Sequence, residues 1–354
     1  MQTTLLFKYP ERLGFPSYTF QRISAPLNWL KFKIDKRYPA TIYQSLSWLS
    51  FLAKTQRGEP VVAVLKEGQE VLGYFTGLIV RKFGVPILGS PFPGWSTDYM
   101  GLRLSSMANR RLAVQALMDF AFQELGCLHL EMMDRSLTVN DISGLGFQSR
   151  VYHSFEVDLT RDEEQLFLKM KSACRRCVRK AEREGVVIEE ARDAEFADEY
   201  YAQLQDVFAK QRLVPTYGVE RVRQLIRDFQ PAGQLLLLRA RNRQGQCIAT
   251  GIFPYMNGVM YFWGGASWRH SQSLRPNEAL QWQAMKLGKK KGVRTYDMGG
   301  GGEYKRKYGG KEIIIPWFGK SKYTWIQYLR DMAQNSHKAR QHCLGELNHF
   351  FARR

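Results

Sequence analysis

Acidic side chains are scarce in this chain. Only 33 aspartates and glutamates stand against 52 lysines and arginines in 354 residues, leaving a formal charge of +19 and a pI near 9.7. Charge of that sign implies an anionic partner, whether nucleic acid, anionic lipid or a phosphorylated substrate, without choosing among them. Cysteine is sparse as well. Cys127, Cys174, Cys177, Cys247 and Cys343 make an odd set without the spacing of a disulfide framework, which fits a reducing compartment. No window approaches the apolar length of a membrane span, and Met1 to Lys8 lack the basic and apolar regions of a signal peptide. The expected location is cytoplasmic, with contact at the inner face of the membrane left open. No nucleophile elbow, Walker loop or dinucleotide fingerprint follows a strand, which argues against covalent hydrolases and nucleotide-hydrolysing enzymes. The 44% hydrophobic and 24% charged content is ordinary for a globular protein, so disorder is not the reading.

What is present concentrates between Arg275 and Gly310. A helix leads into a short strand ending at Asp297. Four consecutive glycines, Gly299 to Gly302, follow, and then the basic-aromatic cluster Tyr304, Lys305, Arg306, Lys307 and Tyr308. Glycines in a row weaken any regular element, but they permit close approach of backbone to a ligand. A strand that delivers an acid into such a loop, with lysines immediately after, has the makings of a substrate site. A plain flexible loop is the bland alternative.

Two stretches repeat one order of elements. In the first, Val61–Leu65 and Val71–Val80 flank a turn, a helix runs from about Asn109 to Gly126, Leu128–Met132 is a buried strand, and Tyr152–Leu159 alternates. In the second, Leu235–Arg239 and Ile248–Tyr255 are followed by an Asn257-Gly258 hairpin turn and Val259–Gly264. A helix over Pro276–Lys290, a strand Arg294–Asp297 and a last strand Ile313–Phe318 complete the repeat. The pattern predicts an α/β protein of duplicated domains, each a mixed twisted sheet flanked by helices. The expected division is 1–159, 160–318, and a basic aromatic tail over 319–354, with the two domains packed together.

Several constellations carry chemistry or its absence. Glu164 to Gly185 reads as one basic amphipathic helix, with Arg175, Arg176, Arg179 and Lys180 off its apolar face. It is a positive rail for phosphates or an RNA backbone, or else the solvated face of a core helix. Cys174 and Cys177 have half-zinc-site spacing, yet they lie on the apolar stripe and have no second pair, so no metal site is expected. Alternation puts Tyr261 and Trp263 on one face of a strand and Phe262 on the other. One of those faces is core and the other is a candidate cleft wall. In the tail, Trp317, Trp325, Tyr328, Leu329, Met332 and Phe350-Phe351 mix with basic residues. The first part suits a helix packed across the second domain, and the end suits a bilayer interface.

In order and spacing these residues resemble the Fem-type peptidyltransferases, relatives within the GNAT acyltransferase superfamily. The similarity rests on Tyr43-Gln44-Ser45 with Trp48, on Pro93-Gly94 followed by Asp98-Tyr99, and on Gly146-Phe147 leading to Val157-Asp158-Leu159. It continues through Arg175 to Ala181, Tyr261 to Ser267, Pro276-Asn277, and Asp297 to Gly309. The resemblance implies two tandem GNAT-like domains forming a cleft. It also implies transfer of an acyl or aminoacyl group to an amine of a cell-envelope precursor, peptidoglycan or polysaccharide. The family's catalytic lysine looks matched by Lys305, its acidic loop residue by Asp98 and its basic-helix arginine by Arg175. Asp297 is a second candidate for handling the proton. Arg179, Tyr99, Tyr261, Trp263, Asn277, Gly299, Gly300 and Tyr304 are candidate substrate contacts. The implied donor is aminoacyl-tRNA or acyl-CoA, with no resident cofactor. The turn Arg275-Pro276-Asn277 lacks the glycines with which ordinary GNAT enzymes hold the CoA pyrophosphate. A non-catalytic RNA-binding protein and a membrane-associated envelope-assembly protein remain the alternatives.

Overall fold

The computed structural model describes residues 18–23 and 40–332. The expectations for Cys343, Phe350 and Phe351 lie outside them. Among the described residues, runs of β-branched and aromatic residues form fourteen strands in one hydrogen-bonded sheet. In the first segment these are β1 (Tyr18–Arg22), β2 (Glu59–Glu67), β3 (Glu70–Lys82), β4 (Val85–Ser90), β5 (Leu102–Leu104), β6 (His129–Met133) and β7 (Gln148–Asp158). The second segment gives β8 (Val187–Glu190), β9 (Leu235–Arg241), β10 (Cys247–Met256), β11 (Val259–Tyr261), β12 (Gly264–Ser267), β13 (Thr295–Asp297) and β14 (Lys311–Ser321).

Each segment opens as an antiparallel meander and then adds a parallel strand, β6 beside β4 and β13 beside β11. The hairpin at Asn257-Gly258 takes positive φ at both residues, as its sequence predicts. The closing strands then trade places. β14, the last of the described strands, inserts between β6 and β7, and β7 passes to the second segment, pairing with β13. The β7–β14 ladder is the long seam of this exchange, from Lys311 opposite Glu156 to Gly319 opposite Gln148.

Helices cover the sheet. They are α1 (Leu46–Gln56), α2 (Arg110–Asp119, extended by a wider turn to Glu124), α3 (Val139–Ile142), α4 (Glu163–Lys169), α5 (Ser172–Arg183), α6 (Phe196–Lys210), α7 (Val219–Phe229) and α8 (Pro276–Lys290). The caps follow the sequence: Ser45, Asn109 and Asp162 accept N–H bonds from Trp48, Leu112 and Gln165. The single helix expected from Glu164 is instead two. Met170 and Lys171 are extended, and the Lys171 N–H bonds the Lys307 carbonyl at 2.9 Å. Apolar periodicity runs on across the break because both helices bury the same face, so spacing alone does not register it.

A core of both segments lies where α1 meets α7. Trp48 is fully buried, its ring 5.3 Å from Phe229 and 4.9 Å from Tyr43. At the far end, Trp317 is also core, donating Nε1–H to buried Glu131 at 3.1 Å. Residues 324–332 are helical and lie against the first segment rather than across the second. Arg330 pairs with Glu131 of β6, and Gln327 donates to Gln148 of β7. Replacing Trp48 by Ala should cost about 3–5 kcal/mol, since a large aromatic is lost where both segments meet. Denaturant unfolding followed separately at first- and second-segment probes should show both transitions shifting together.

Candidate active site

β11 and β13 run parallel only as far as Tyr261 opposite Asp297, where the Phe262 N–H still reaches the Asp297 carbonyl at 2.9 Å. The chain then swings away, the Trp263 N–H bonding Ile252 of β10. Beyond that point β12 pairs only with β10 among the described strands. The two strands splay, and a cavity of about 240 Å³ lies against β12, the start of α8 and the turn that carries Tyr304 to Tyr308, with neither Asp98 nor Asp297 among its lining residues. Phe262, Ser267, Asn277, Glu278, Tyr304 and Lys307 are among its walls. A strand edge without a neighbour presents N–H and C=O groups to whatever enters.

At the point of the splay sit two carboxylates. Asp297 is fully buried. Its Oδ1 accepts from Ser154 Oγ (2.8 Å) and the Gly299 N–H (2.9 Å), and its Oδ2 from the Tyr99 hydroxyl (3.3 Å). Asp98, partly exposed, accepts from the Gly300 N–H and the Tyr43 hydroxyl, both at 3.3 Å. The Tyr99 and Tyr261 hydroxyls are 3.1 Å apart, and Arg135 donates to Tyr99 (2.9 Å) and to Glu156 (2.5 Å). Burial and the neighbouring Asp98 push Asp297 up to about 7. Burial also raises Asp98, opposed by the Gly300 N–H, the nearby Lys305 charge and the Tyr43 hydroxyl. Donors around Asp98 offset part of that rise, and the two acids oppose each other's ionisation. Gly299 has φ +71° and stands where a side chain would press on Asp98 Oδ2 and the Phe262 carbonyl, each 3.2 Å from a Cβ position. The glycine run has a purpose here: it lets the loop pass between the two acids.

Lys305 is buried, and its ammonium donates to the carbonyls of Met298 (2.6 Å), Gly299 (3.1 Å) and Gly300 (3.0 Å). Burial lowers its pKa, while Asp98 and Asp297 raise it. The first three N–H groups of the glycine run are not free for a ligand. Those of Gly299, Gly300 and Gly301 go to Asp297, Asp98 and the His153 carbonyl.

Of the residues expected at the site, Asp98, Asp297, Lys305, Tyr99, Tyr261, Gly299 and Gly300 come together. Tyr304 lines the cavity, as does Asn277, whose Nδ2 donates to Ser267 Oγ at 3.0 Å. Trp263 packs at 5.4 Å on Tyr217, in the core behind Tyr261, and its buried indole N–H lacks a partner. Arg175 and Arg179 are not brought to the acids. The first bonds the Leu168 carbonyl and the second lies over Phe167. Sequence reasoning missed Ser154 and Glu156, which share the inward face of β7. Their polarity amid an alternating strand was the available signal. It also missed Arg135 and the Lys307–Glu278 ion pair at 2.7 Å. Among the described residues no His, Cys, Asp and Glu group has a metal-holding arrangement.

Residues 169–307 match the family model of the GNAT acetyltransferase domain. Among solved structures, the crystal structure of FemX aligns with a TM-score of 0.61 at 12% identity, covering 78% of this chain and 92% of that one. A tandem GNAT protein from the clavulanic acid biosynthesis pathway aligns with a TM-score of 0.54 at 12% identity, covering 86% of this chain and 98% of its own. No curated protein matches the sequence. The fold is shared with FemX and with this tandem GNAT protein, and the match to the GNAT domain model falls in the second segment.

Two outcomes follow from this geometry. An acid whose pKa is higher folded than unfolded stabilises the fold only while protonated. Stability should therefore fall as pH rises from the usual carboxylate range, about 4, toward 7, and level off above it. In Asp297→Asn the slope should become shallower in urea titrations across this window, the remainder coming from the other raised acids, Asp98 and Asp134; an unchanged slope would assign the proton to another group. Lys305→Met should cost about 1–3 kcal/mol by orphaning three loop carbonyls. Hydrogen exchange over residues 298–302 should accelerate while β6 and β9 stay protected.

Proposed function

We propose that this chain moves an acyl or aminoacyl group from a donor seated in the splay between β12 and β13 onto an amine of an anionic cell-envelope precursor. The observation that carries the reading is the carboxylate pair at the end of β13, one acid partly exposed and the other buried and raised to about 7. A neutral amine attacks the ester or thioester carbonyl of the donor. As the tetrahedral intermediate forms, the new ammonium passes a proton to Asp98. Asp98 returns that proton to the leaving oxygen or sulfur, which departs as the alcohol or thiol while the carbonyl reforms. The unpaired edge of β12 is suited to receive the carbonyl oxygen, since its outward N–H groups need no reorganisation. Lys305 holds the glycine loop, whose Gly300 N–H bonds Asp98, and adds positive charge beside that acid. Asp297, with Ser154 and Tyr99, holds the loop's other end, so its role is positioning rather than contact with substrate.

The donor is an aminoacyl-tRNA or an acyl-CoA, and two features favour the first. Glu278 lies in the first turn of α8, where a CoA pyrophosphate would otherwise meet the helix N-terminus, and it is neutralised by Lys307. Exposed Arg176, Arg179 and Arg183 on α5, with Lys290 and Lys291 at the end of α8, make a basic face suited to a polyphosphate backbone.

The test follows radiolabel into an envelope-precursor extract from charged tRNA and from acetyl-CoA in parallel. Ribonuclease-sensitive transfer supports the aminoacyl reading, and transfer from acetyl-CoA alone supports an acyl-CoA enzyme. Salt-sensitive tRNA binding with no transfer from either donor would favour a binding role. Asp98→Asn should lower kcat/KM by about 10²–10⁴-fold, the usual worth of a positioned base, and flatten the pH profile. A fully active variant would remove Asp98 from the mechanism.

A further inference from the structure

The helix over 324–332 is pinned from within. Ile326 is buried, and Arg330 reaches buried Glu131 of β6, which also takes the Trp317 indole N–H. Pinning those two positions, one helical turn apart, fixes which side faces out. That side carries Trp325 (55% exposed), Tyr328 (68%), Leu329 (51%) and Met332 (66%), the spacing of one continuous helical stripe. Tyr323 extends it, its ring stacked on Trp325 at 6.3 Å and 6°. A held helix with a wholly apolar and aromatic outer stripe is an interaction surface, because scattered exposed apolar residues do not align this way.

We propose that this stripe docks the protein onto an anionic bilayer surface. Tryptophan and tyrosine suit the headgroup region, where one end of the ring is wet and the other dry. The sequence that follows the stripe, 333–354, adds Lys338, Arg340, Arg353 and Arg354 and the apolar pair Phe350-Phe351 against a single acid, Glu346. Apolar insertion plus a basic segment is the two-signal combination that makes interfacial binding stable. A second copy of this chain is the poorer occupant, since the contact would bring two +19 molecules and two basic segments together. The stripe lies on the first-segment strands β6 and β7 and uses none of the residues around the carboxylates, so this inference stands apart from the proposed reaction.

The test is co-sedimentation of the full chain with phosphatidylcholine vesicles and with mixed phosphatidylglycerol–phosphatidylcholine vesicles over a salt series. The native chain is expected to bind the mixed vesicles and to release with salt. The double variant W325S/L329S should bind roughly tenfold more weakly, as loss of two inserted side chains implies. Both positions are exposed, so its melting curve should match the native one. A second readout uses brominated lipid. Tryptophan quenching seen with the native chain should drop in Trp325→Phe, which keeps the apolar surface. Equal vesicle binding by native and W325S/L329S, or no binding by the native chain, would overturn the proposal. A native dimer that the double variant abolishes, without vesicle binding, would assign the stripe to a second copy.

Discussion

The β7–β14 ladder is the constraint on which the site depends. β7 closes the first segment in sequence, yet it pairs with β13 of the second, and β14 fills the place left beside β6. Because β7 lies against β13, Ser154 reaches Asp297, Glu156 holds Arg135 against Tyr99, and the His153 carbonyl takes the Gly301 N–H. Neither segment alone supplies a floor for the glycine loop. The exchange also makes the inter-segment contact a matter of main-chain hydrogen bonding, its register set by which side chains each strand buries. A site divided between two domains tolerates little relative motion, and this ladder removes it.

Within that frame the energetics are adverse locally and compensated by placement. Two carboxylates and an ammonium lie in or beside a largely dry environment, where an unpaired charge is costly. Each is relieved differently. Asp98 retains partial exposure and a nearby cation, and Asp297 retains its proton to about pH 7. Lys305 surrounds its ammonium with three carbonyls that the glycine run bends toward it. The aromatic ring cluster of Tyr43, Tyr99 and Tyr261 does double duty. Its faces pack at 4.4–6.1 Å as core between the segments, while its hydroxyls hydrogen-bond one another and the acids. Deep burial keeps Tyr43 and Tyr261 protonated by raising their pKa values, so they act as donors across the whole working range.

Much of this was legible in residues. The helix Pro276–Lys290 carries its own start signal, a proline at its first position, and its stop, Gly292. The Asn257-Gly258 turn, the strand ending at Asp297 and the glycine run were equally local, and so was the lysine after it. What local pattern does not encode is partnership. Ile313–Phe318 read as a strand, yet nothing in an apolar run states which neighbour it will take, so the exchange was invisible. Helices α6 and α7 went unread because their buried positions, such as Gln203 and Arg221, include polar residues that break the apolar count. The Met170–Lys171 break depends on a carbonyl more than a hundred residues away in sequence, at Lys307, and no window includes it.

The same distant bond connects the basic helices to the loop around the two carboxylates. Lys307 joins three things: its carbonyl caps the break before α5, its ammonium pairs with Glu278 at the start of α8, and its side chain lines the cavity. Two residues earlier, Lys305 clamps the glycine loop. Gly309, two residues later, has φ +81° and stands where a side chain would meet the Lys169 carbonyl at 2.8 Å. The short turn from Glu303 to Tyr308 is therefore held at both ends and in the middle, by α4, α5 and α8 together. A polyanion that settled along α5 and α8 would press on the elements that set the position of Lys305. Binding along the basic face and alignment of Asp98 would then be coupled mechanically through a few residues of backbone, without any movement of the sheet.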